Sequence, residues 1–565
     1  MVERPWLAHY PAGVDWHVKI TPRPLWDLVD AAARDYPDRP AMDFMGKRFS
    51  YRQLGEMVNQ AAAGFQALGV TKGTKVGLFL PNCPQFIVSF FAVLKAGGTV
   101  VNYSPLYAER ELLYQVEDSE TDLMVTLDLE ALYPKMAQVM RESRIKRLIV
   151  GSLSDVLPFP KNFLFPIVRP KDIAVVTWDD KHISFRDLLR FGEKPTPIAV
   201  NPVEDVAVLQ YTGGTTGTPK GAMLTHANLY VNAVQSRLWT AEAEVGSERM
   251  LGVLPFFHAF ALTGVMTMGI LIAAEIVMLP KFELNEVMKA IARRKPTLMA
   301  GVPTMFRAFL NHPAAKEGAL RSLKACFSGG APLPLELKRA FEAESGCKLF
   351  EGYGLTECSP VASGNPYSGK NKEGSIGLPM PATDILIVDR DDPMKELPLG
   401  EVGEIAIVGP QVMKGYWRRP DATAETIVNG RLLTGDLGRM DEEGYTYIVD
   451  REKDLILVSG YNVFPRVVEE ALYEHPSVAE AVVIGIPDPY RGEAPKAFVA
   501  LKPGHNSVTA DTIKEFLRPR IGKHEMPVEI EIRPSLPKTM VGKLSKKELK
   551  DEELAKRQAA AAKVS

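Results

Sequence analysis

The chain has 565 residues, 46% of them hydrophobic and 24% charged, with a formal net charge of −2. This is an ordinary globular composition with enough apolar residues to bury large cores over about three to four domain-sized units, and the near-neutral charge excludes a dedicated nucleic-acid binder. The four cysteines, Cys83, Cys326, Cys347 and Cys358, form no C-x-x-C pair, so neither a zinc site nor a disulfide framework is indicated and a reducing, cytoplasmic setting is expected.

The N-terminus has no apolar stretch of the secretory kind. Runs rich in Val, Leu and Ile at 76–80, 99–103, 122–127 and 147–150 alternate with helical patterns such as the one ending at Gly97. That alternation predicts an α/β fold with largely parallel sheet. The uncharged stretch 251–274 is interrupted by Pro255 and His258, which predicts a strand followed by a buried helix rather than a membrane span. Between Val388 and Tyr447, short strands separated by Asp, Gly and Pro turns predict a β-subdomain. A smaller α+β unit begins at Asp450, giving expected domains of 1–449 and 450–565; the Ala/Lys-rich tail reads as frayed helix.

One segment, 156–171, breaks the pattern with Phe159, Phe163, Leu164 and Phe165 among four prolines and three basic residues. Two readings stay open for it: a loop folded onto its own domain or a homodimer partner, and a peripheral contact with a membrane that helps collect a lipid-like substrate.

The run Y-T-G-G-T-T-G-T-P-K-G, Tyr211 to Gly221, concentrates glycine, threonine and one lysine. Glycine lets backbone N–H groups approach an anion, threonine adds hydroxyl donors, and Lys220 adds a charge, so the loop suits a polyphosphate. It is expected to join a strand to a helix N-terminus. Four further motifs follow it: S-G-G-A-P-L (328–333), E-G-Y-G-L-T-E (351–357), T-G-D-L-G (434–438) with D-R-E-K-D (450–454), and P-K-T-M-V-G-K (537–543).

The set resembles the AMP-forming adenylate synthetases over about residues 20–550, and is most similar to the bacterial medium- to long-chain fatty acyl-CoA synthetases among them. The resemblance implies a carboxylate that attacks ATP to give acyl-AMP and pyrophosphate, then a coenzyme A thiol that displaces AMP, with Mg²⁺ required. ATP and AMP would be held by Thr212, Gly213, Gly214, Thr215, Thr216, Gly217 and Lys220, by Gly330, Ala331 and Pro332, and by Glu351, Gly352, Tyr353, Gly354 and Thr356, with Asp436, Arg451 and Lys453. Within that set Tyr353 offers a face to adenine, and Asp436 can accept both ribose hydroxyls; a buried Asp436–Arg451 ion pair is the structural alternative.

Catalytic roles would fall to Lys543, Glu357 and Thr356, and metal binding to Glu357 with Thr212. Phe257, His258 and Gly329 would border the acyl pocket. The resemblance further implies a C-terminal domain that swings about Asp450, bringing Ser459 and Gly460 to the coenzyme A path in place of Lys543. Lys543 would also be the site of a lysine acetyltransferase and deacetylase. Two positions depart from the family pattern, Gly213 and Leu457, so one phosphate donor and one nucleotide contact do not carry over. Dicarboxylates such as pimelate and aryl acids are alternative substrates, and a non-catalytic adenylate-binding or membrane-scaffold protein is the alternative from another class.

Overall fold

The computed structural model describes residues 4–212, 219–240, 242–459, 461–488, 490–505, 507–539 and 542–561, the last four as backbone only. Among these residues the chain forms four sheets. In the first, of seven strands, Lys75–Leu78, Thr99–Asn102, Thr121–Leu127 and Arg147–Gly151 run parallel, as the apolar runs predict. Val206–Thr212 joins this sheet parallel to Thr99–Asn102, and Lys220–Thr225 closes its edge antiparallel to Val206–Thr212.

The second sheet has nine strands, with a parallel centre that includes Arg249–Gly252, Leu298–Gly301, Ala325–Ser328 and Lys348–Gly354. Helix Pro84–Lys95 is buried from Pro84 through Leu94. Its sequence is apolar on every side, so it is stable only when covered all round. Just before it, the Asn82 side chain donates to the carbonyl of Leu254 and accepts from the N–H of Phe256. That pair of bonds fixes the turn leading into residues 257–260.

The third sheet is antiparallel, built on Asp384–Val388, Gly403–Val408, Arg431–Met440 and Thr446–Arg451. This is the expected β-subdomain. One continuous core runs from Trp6 to Tyr445, whereas Ile456–Leu549 contributes to separate cores around the fourth sheet. The structural class is therefore the expected one: a large α/β part with a β-subdomain, and a small α+β part.

Two expectations are corrected. The glycine- and threonine-rich run does not lead directly into a helix: strand Lys220–Thr225 follows it, and the helix begins only at His226, capped by Thr225. The segment 156–171 contains a short helix, Lys161–Val168, with no fully buried residue. The C-terminal helix Lys546–Ala561 is docked by a buried Leu549 and by Glu553, which accepts from the Lys496 ammonium at 2.9 Å, both ahead of the Ala/Lys-rich tail near Ala559.

Candidate functional site

Residues 213–218, with the expected phosphate ligands Gly213, Gly214, Thr215, Thr216 and Gly217, lie outside the described residues. Their flanks are paired: Thr212 sits opposite Lys220 in the ladder, and the Thr212 hydroxyl donates to the Lys220 carbonyl at 3.4 Å. The Lys220 ammonium stands 5.0 Å from the centre of the Tyr416 ring, at cation–π distance. The Tyr416 hydroxyl in turn donates to Glu357 Oε1 at 2.7 Å.

Glu357 lies in a short 3₁₀ turn, Thr356–Cys358, directly after strand Lys348–Gly354. It faces a cavity of about 370 Å³ lined also by Tyr416, Glu404, Thr434, Gly435 and Glu452. No cluster of three or more metal-ligating side chains occurs among the described residues. A glutamate carboxylate opening on a polar cavity suits Mg²⁺, which keeps most of its shell as water and phosphate oxygen and needs one or two protein carboxylates.

Asp436 is buried on strand Arg431–Met440, opposite Arg451 in the ladder. Its Oδ1 accepts from Arg451 Nε at 2.9 Å and its Oδ2 from the Tyr353 hydroxyl at 2.6 Å. The Asp436–Arg451 ion pair, the less favoured alternative from sequence, is thus formed, and Tyr353 binds Asp436 through its edge. A carboxylate has about four lone-pair sites, so both oxygens still have acceptor capacity for hydroxyls. Burial, with the Arg451 charge beside it, holds the Lys453 ammonium below the usual lysine range.

After strand Ala325–Ser328 the chain turns at Gly330, with φ +79°. A methyl placed there would lie 2.4 Å from Lys543 Cε and 2.9 Å from its Nζ, so a side chain at this position would push the end of the lysine aside. Ala331 and Pro332 continue the turn, and the N–H of Leu333 donates to Glu351 Oε1 at 3.2 Å. Glu351 therefore acts in this structure as the anchor of the turn, and burial pushes its carboxyl up to about 7. Gly352 faces the neighbouring strand, and a Cβ on Gly354 would meet the Pro360 carbonyl at 1.9 Å, which fixes the entry to Thr356 and Glu357.

Lys543 arrives from the small C-terminal part of the chain. The Thr304 hydroxyl donates to the carbonyl of Gly542 at 2.9 Å, tying this loop to the large part. Burial, followed by the charge of Arg451, lowers the Lys543 ammonium to about 8, with Asp436 acting in the opposite sense.

The expected acyl-pocket residues are gathered at one place. Gln210 Nε2 donates to the Phe257 carbonyl at 2.8 Å, and His258 Nδ1 accepts from the N–H of Phe260 at 3.3 Å. A methyl on Gly329 would lie 3.1 Å from the Phe260 ring. The helix that starts at Ala259 widens to a π-turn over Leu262–Thr267, and Thr263 donates to the Ser359 carbonyl at 2.6 Å. Burial, with Lys543 nearby, pushes His258 down to about 3, so it is neutral at physiological pH.

Asp450 is buried at the end of strand Thr446–Arg451. Its carboxylate accepts from the N–H of Arg451 at 2.7 Å and of Arg466 at 2.8 Å, the second at the start of helix Pro465–Tyr473. An anion there complements the helix dipole. Ser459 is exposed with φ +51°, its N–H donating to the Arg491 carbonyl, and it makes no described hydrogen bond to the group around Asp436. Gly460 lies outside the described residues.

Two site residues carried no sequence signal. Tyr416 sits between sheets in a segment without a motif, and Glu404 accepts from the N–H of Gly435 at 2.7 Å, bracing the turn that presents Asp436. Only the pairing of distant segments reveals either.

Residues 29–417 match the family described as AMP-binding enzyme, and residues 467–543 match its C-terminal domain. The chain belongs to the AMP-binding enzyme family. It is 44% identical over 554 residues to the long-chain-fatty-acid–CoA ligase of Bacillus subtilis (strain 168), covering 98% of each chain. Among solved structures it is similar to ATP-bound MatB from Rhodopseudomonas palustris, with a TM-score of 0.83, 26% identity, and 94% and 99% of the two chains covered. Against apo MatB, at 27% identity and the same coverage, the TM-score is 0.74. The o-succinylbenzoate coenzyme A synthetase of Bacillus subtilis in complex with ATP and magnesium ion gives a TM-score of 0.74 at 27% identity, covering 93% of this chain and 98% of the other.

Proposed function

We propose that this AMP-binding enzyme is a fatty acyl-CoA synthetase. A fatty carboxylate attacks the α-phosphorus of ATP, forming acyl-AMP and releasing pyrophosphate; the thiol of coenzyme A then attacks the acyl carbon and AMP departs. The observation that carries the proposal is Lys543, delivered from the small part of the chain across Gly330 and into the electrostatic field of Asp436 and Arg451. The whole-length likeness to a long-chain-fatty-acid–CoA ligase supports the acyl class.

In this scheme Lys220 and residues 212–217 hold the β- and γ-phosphates, and Thr356 donates to the α-phosphate. Glu357, with Thr212, holds Mg²⁺, which when bound neutralises charge on the phosphate oxygens. Tyr353, Gly352, Gly354 and Gly330 to Pro332 bound the adenine, and Asp436 receives the ribose hydroxyls with Arg451 and Lys453 at its side. Lys543 offsets the charge that develops where carboxylate and phosphate meet. Neutral His258, with Phe257 and Gly329, borders the acyl chain. After adenylation, rotation near Asp450 exchanges Lys543 for Ser459 and Gly460, which line the thiol path. The higher TM-score to ATP-bound than to apo MatB supports an adenylation pose for the present arrangement. Acetylation of Lys543 by a lysine acetyltransferase would remove the charge the first step uses.

A peripheral membrane contact is supported by the helix Lys161–Val168. Phe159, Phe163, Ile167 and Val168 are each at least 62% exposed there, beside Lys161, Arg169 and Lys171. No described helix is long and apolar enough to cross a membrane.

Carboxylate-dependent pyrophosphate release with ATP, Mg²⁺ and coenzyme A, across acids from acetate to oleate plus pimelate and benzoate, tests the proposal. Release with fatty acids is expected. Release only with pimelate or benzoate would move the substrate class, and none with any acid would leave a non-catalytic adenylate binder.

A further inference from the structure

The segment 413–417 is strapped to both halves of the phosphate site. On one side the N–H of Met413 donates to the Glu357 carbonyl at 2.8 Å. On the other, the N–H of Met223 donates to the Gly415 carbonyl, and the N–H of Trp417 to the Gly221 carbonyl, each at 2.8 Å. The strap thus pairs with the strand that begins at Lys220. Tyr416 sits at its centre and is buried. Its ring lies under the Lys220 ammonium and its hydroxyl engages Glu357 Oε1. Among the described residues, Glu357 Oε2 accepts no hydrogen bond, and Oε1 keeps a second lone pair.

We infer that Tyr416 is a positioning residue that joins Lys220 to Glu357, fixing through its hydroxyl the orientation in which the Glu357 carboxylate meets Mg²⁺. The inference rests on Glu357 as the metal carboxylate. A hydrogen-bond donor behind a metal ligand removes its rotational freedom, and loss of such a partner typically costs about 10- to 100-fold in metal affinity or activity. The ring has a separate duty: its face holds the lysine where the terminal phosphates would lie, and that duty does not require the hydroxyl.

The two duties separate in Tyr416→Phe, which keeps the ring and removes one oxygen. Calorimetric titration of ATP into the full chain without carboxylate, with and without Mg²⁺, gives the metal-dependent gain in ATP affinity. For Tyr416→Phe that gain is expected to fall about 10-fold, while ATP affinity without Mg²⁺ stays unchanged. Tyr416→Leu, a second variant, is expected to lose ATP affinity in both conditions. Glu357→Gln serves as the reference. If Glu357→Gln abolishes the gain and Tyr416→Phe leaves it intact, the positioning role is overturned and the metal role of Glu357 stands. If Glu357→Gln leaves the gain intact, the metal role of Glu357 fails and the inference fails with it.

Discussion

The Lys543 ammonium crosses Gly330 so closely that a single added methyl would lie 2.4 Å from Cε. The glycine is also held at φ +79°, which strains any other residue by about 1–3 kcal/mol. Gly330→Ala therefore displaces Lys543 rather than the core. Adenylation, read by ATP–pyrophosphate exchange, is expected to drop about 100-fold, since an ångström of misplacement costs that much. Thioester formation from supplied acyl-AMP, which shares the adenine contact of this turn but does not use Lys543, should fall clearly less. Equal losses in the two half-reactions would remove the link between Gly330 and Lys543.

The lowered Lys543 gives the first half-reaction a pH limb. Adenylation uses the protonated ammonium, so its rate should hold below about 8 and fall as the pH rises through that value. Lys543→Arg, which stays protonated, should be slower at every pH but should lose the limb. A wild-type rate that stays level up to the ordinary lysine range, about 10.4, would show that the ammonium is not lowered where it acts.

Asp450 holds two N–H groups across the junction, those of Arg451 and Arg466. Proline at this position fixes φ and removes the carboxylate together with the backbone N–H. Asp450→Pro is expected to slow thioester formation from acyl-AMP at least about 10-fold more than adenylation, as a locked hinge would. Asp450→Ala loses the same carboxylate but leaves the backbone rotatable, and should affect the two steps more evenly. Equal losses in Asp450→Pro would count against a hinge here.

The parts of the site legible in sequence are those whose chemistry lies in adjacent residues. Gly330 before Ala331 and Pro332, or Thr356 beside Glu357, carry their constraint locally, so the motif marks the place and the family match holds over residues 29–417 and 467–543. Tyr416 was not legible because its meaning depends on pairing with Ala222 and Glu357, both far away in the chain. The run Lys220–Thr225 is short and apolar, a pattern shared by strands and helix entries; only the ladder to Val206–Thr212 decides it. For the same reason the Asp436–Arg451 pair stood in the sequence only as an alternative: their two strands lie in direct register, which adjacent residues do not reveal.

Helix Lys161–Val168 turns Phe163 and Ile167 outward, at 69% and 62% exposure, while Phe165 packs partly against the core. An apolar face of this kind gains about 1.5–3 kcal/mol for each large side chain it buries, and an anionic surface adds about 1 kcal/mol for each nearby basic residue. Lys161, Arg169 and Lys171 supply that second contribution. Sedimentation with phosphatidylglycerol-containing vesicles is expected to be strong at low salt and weaker at high salt. Changing Phe163 and Ile167 to serine should cut it about 10-fold or more and leave adenylation of a short, water-soluble fatty acid unaltered. If the double variant pellets with vesicles as well as the native chain does, the helix is not the membrane contact, and its apolar face must be covered by something other than lipid.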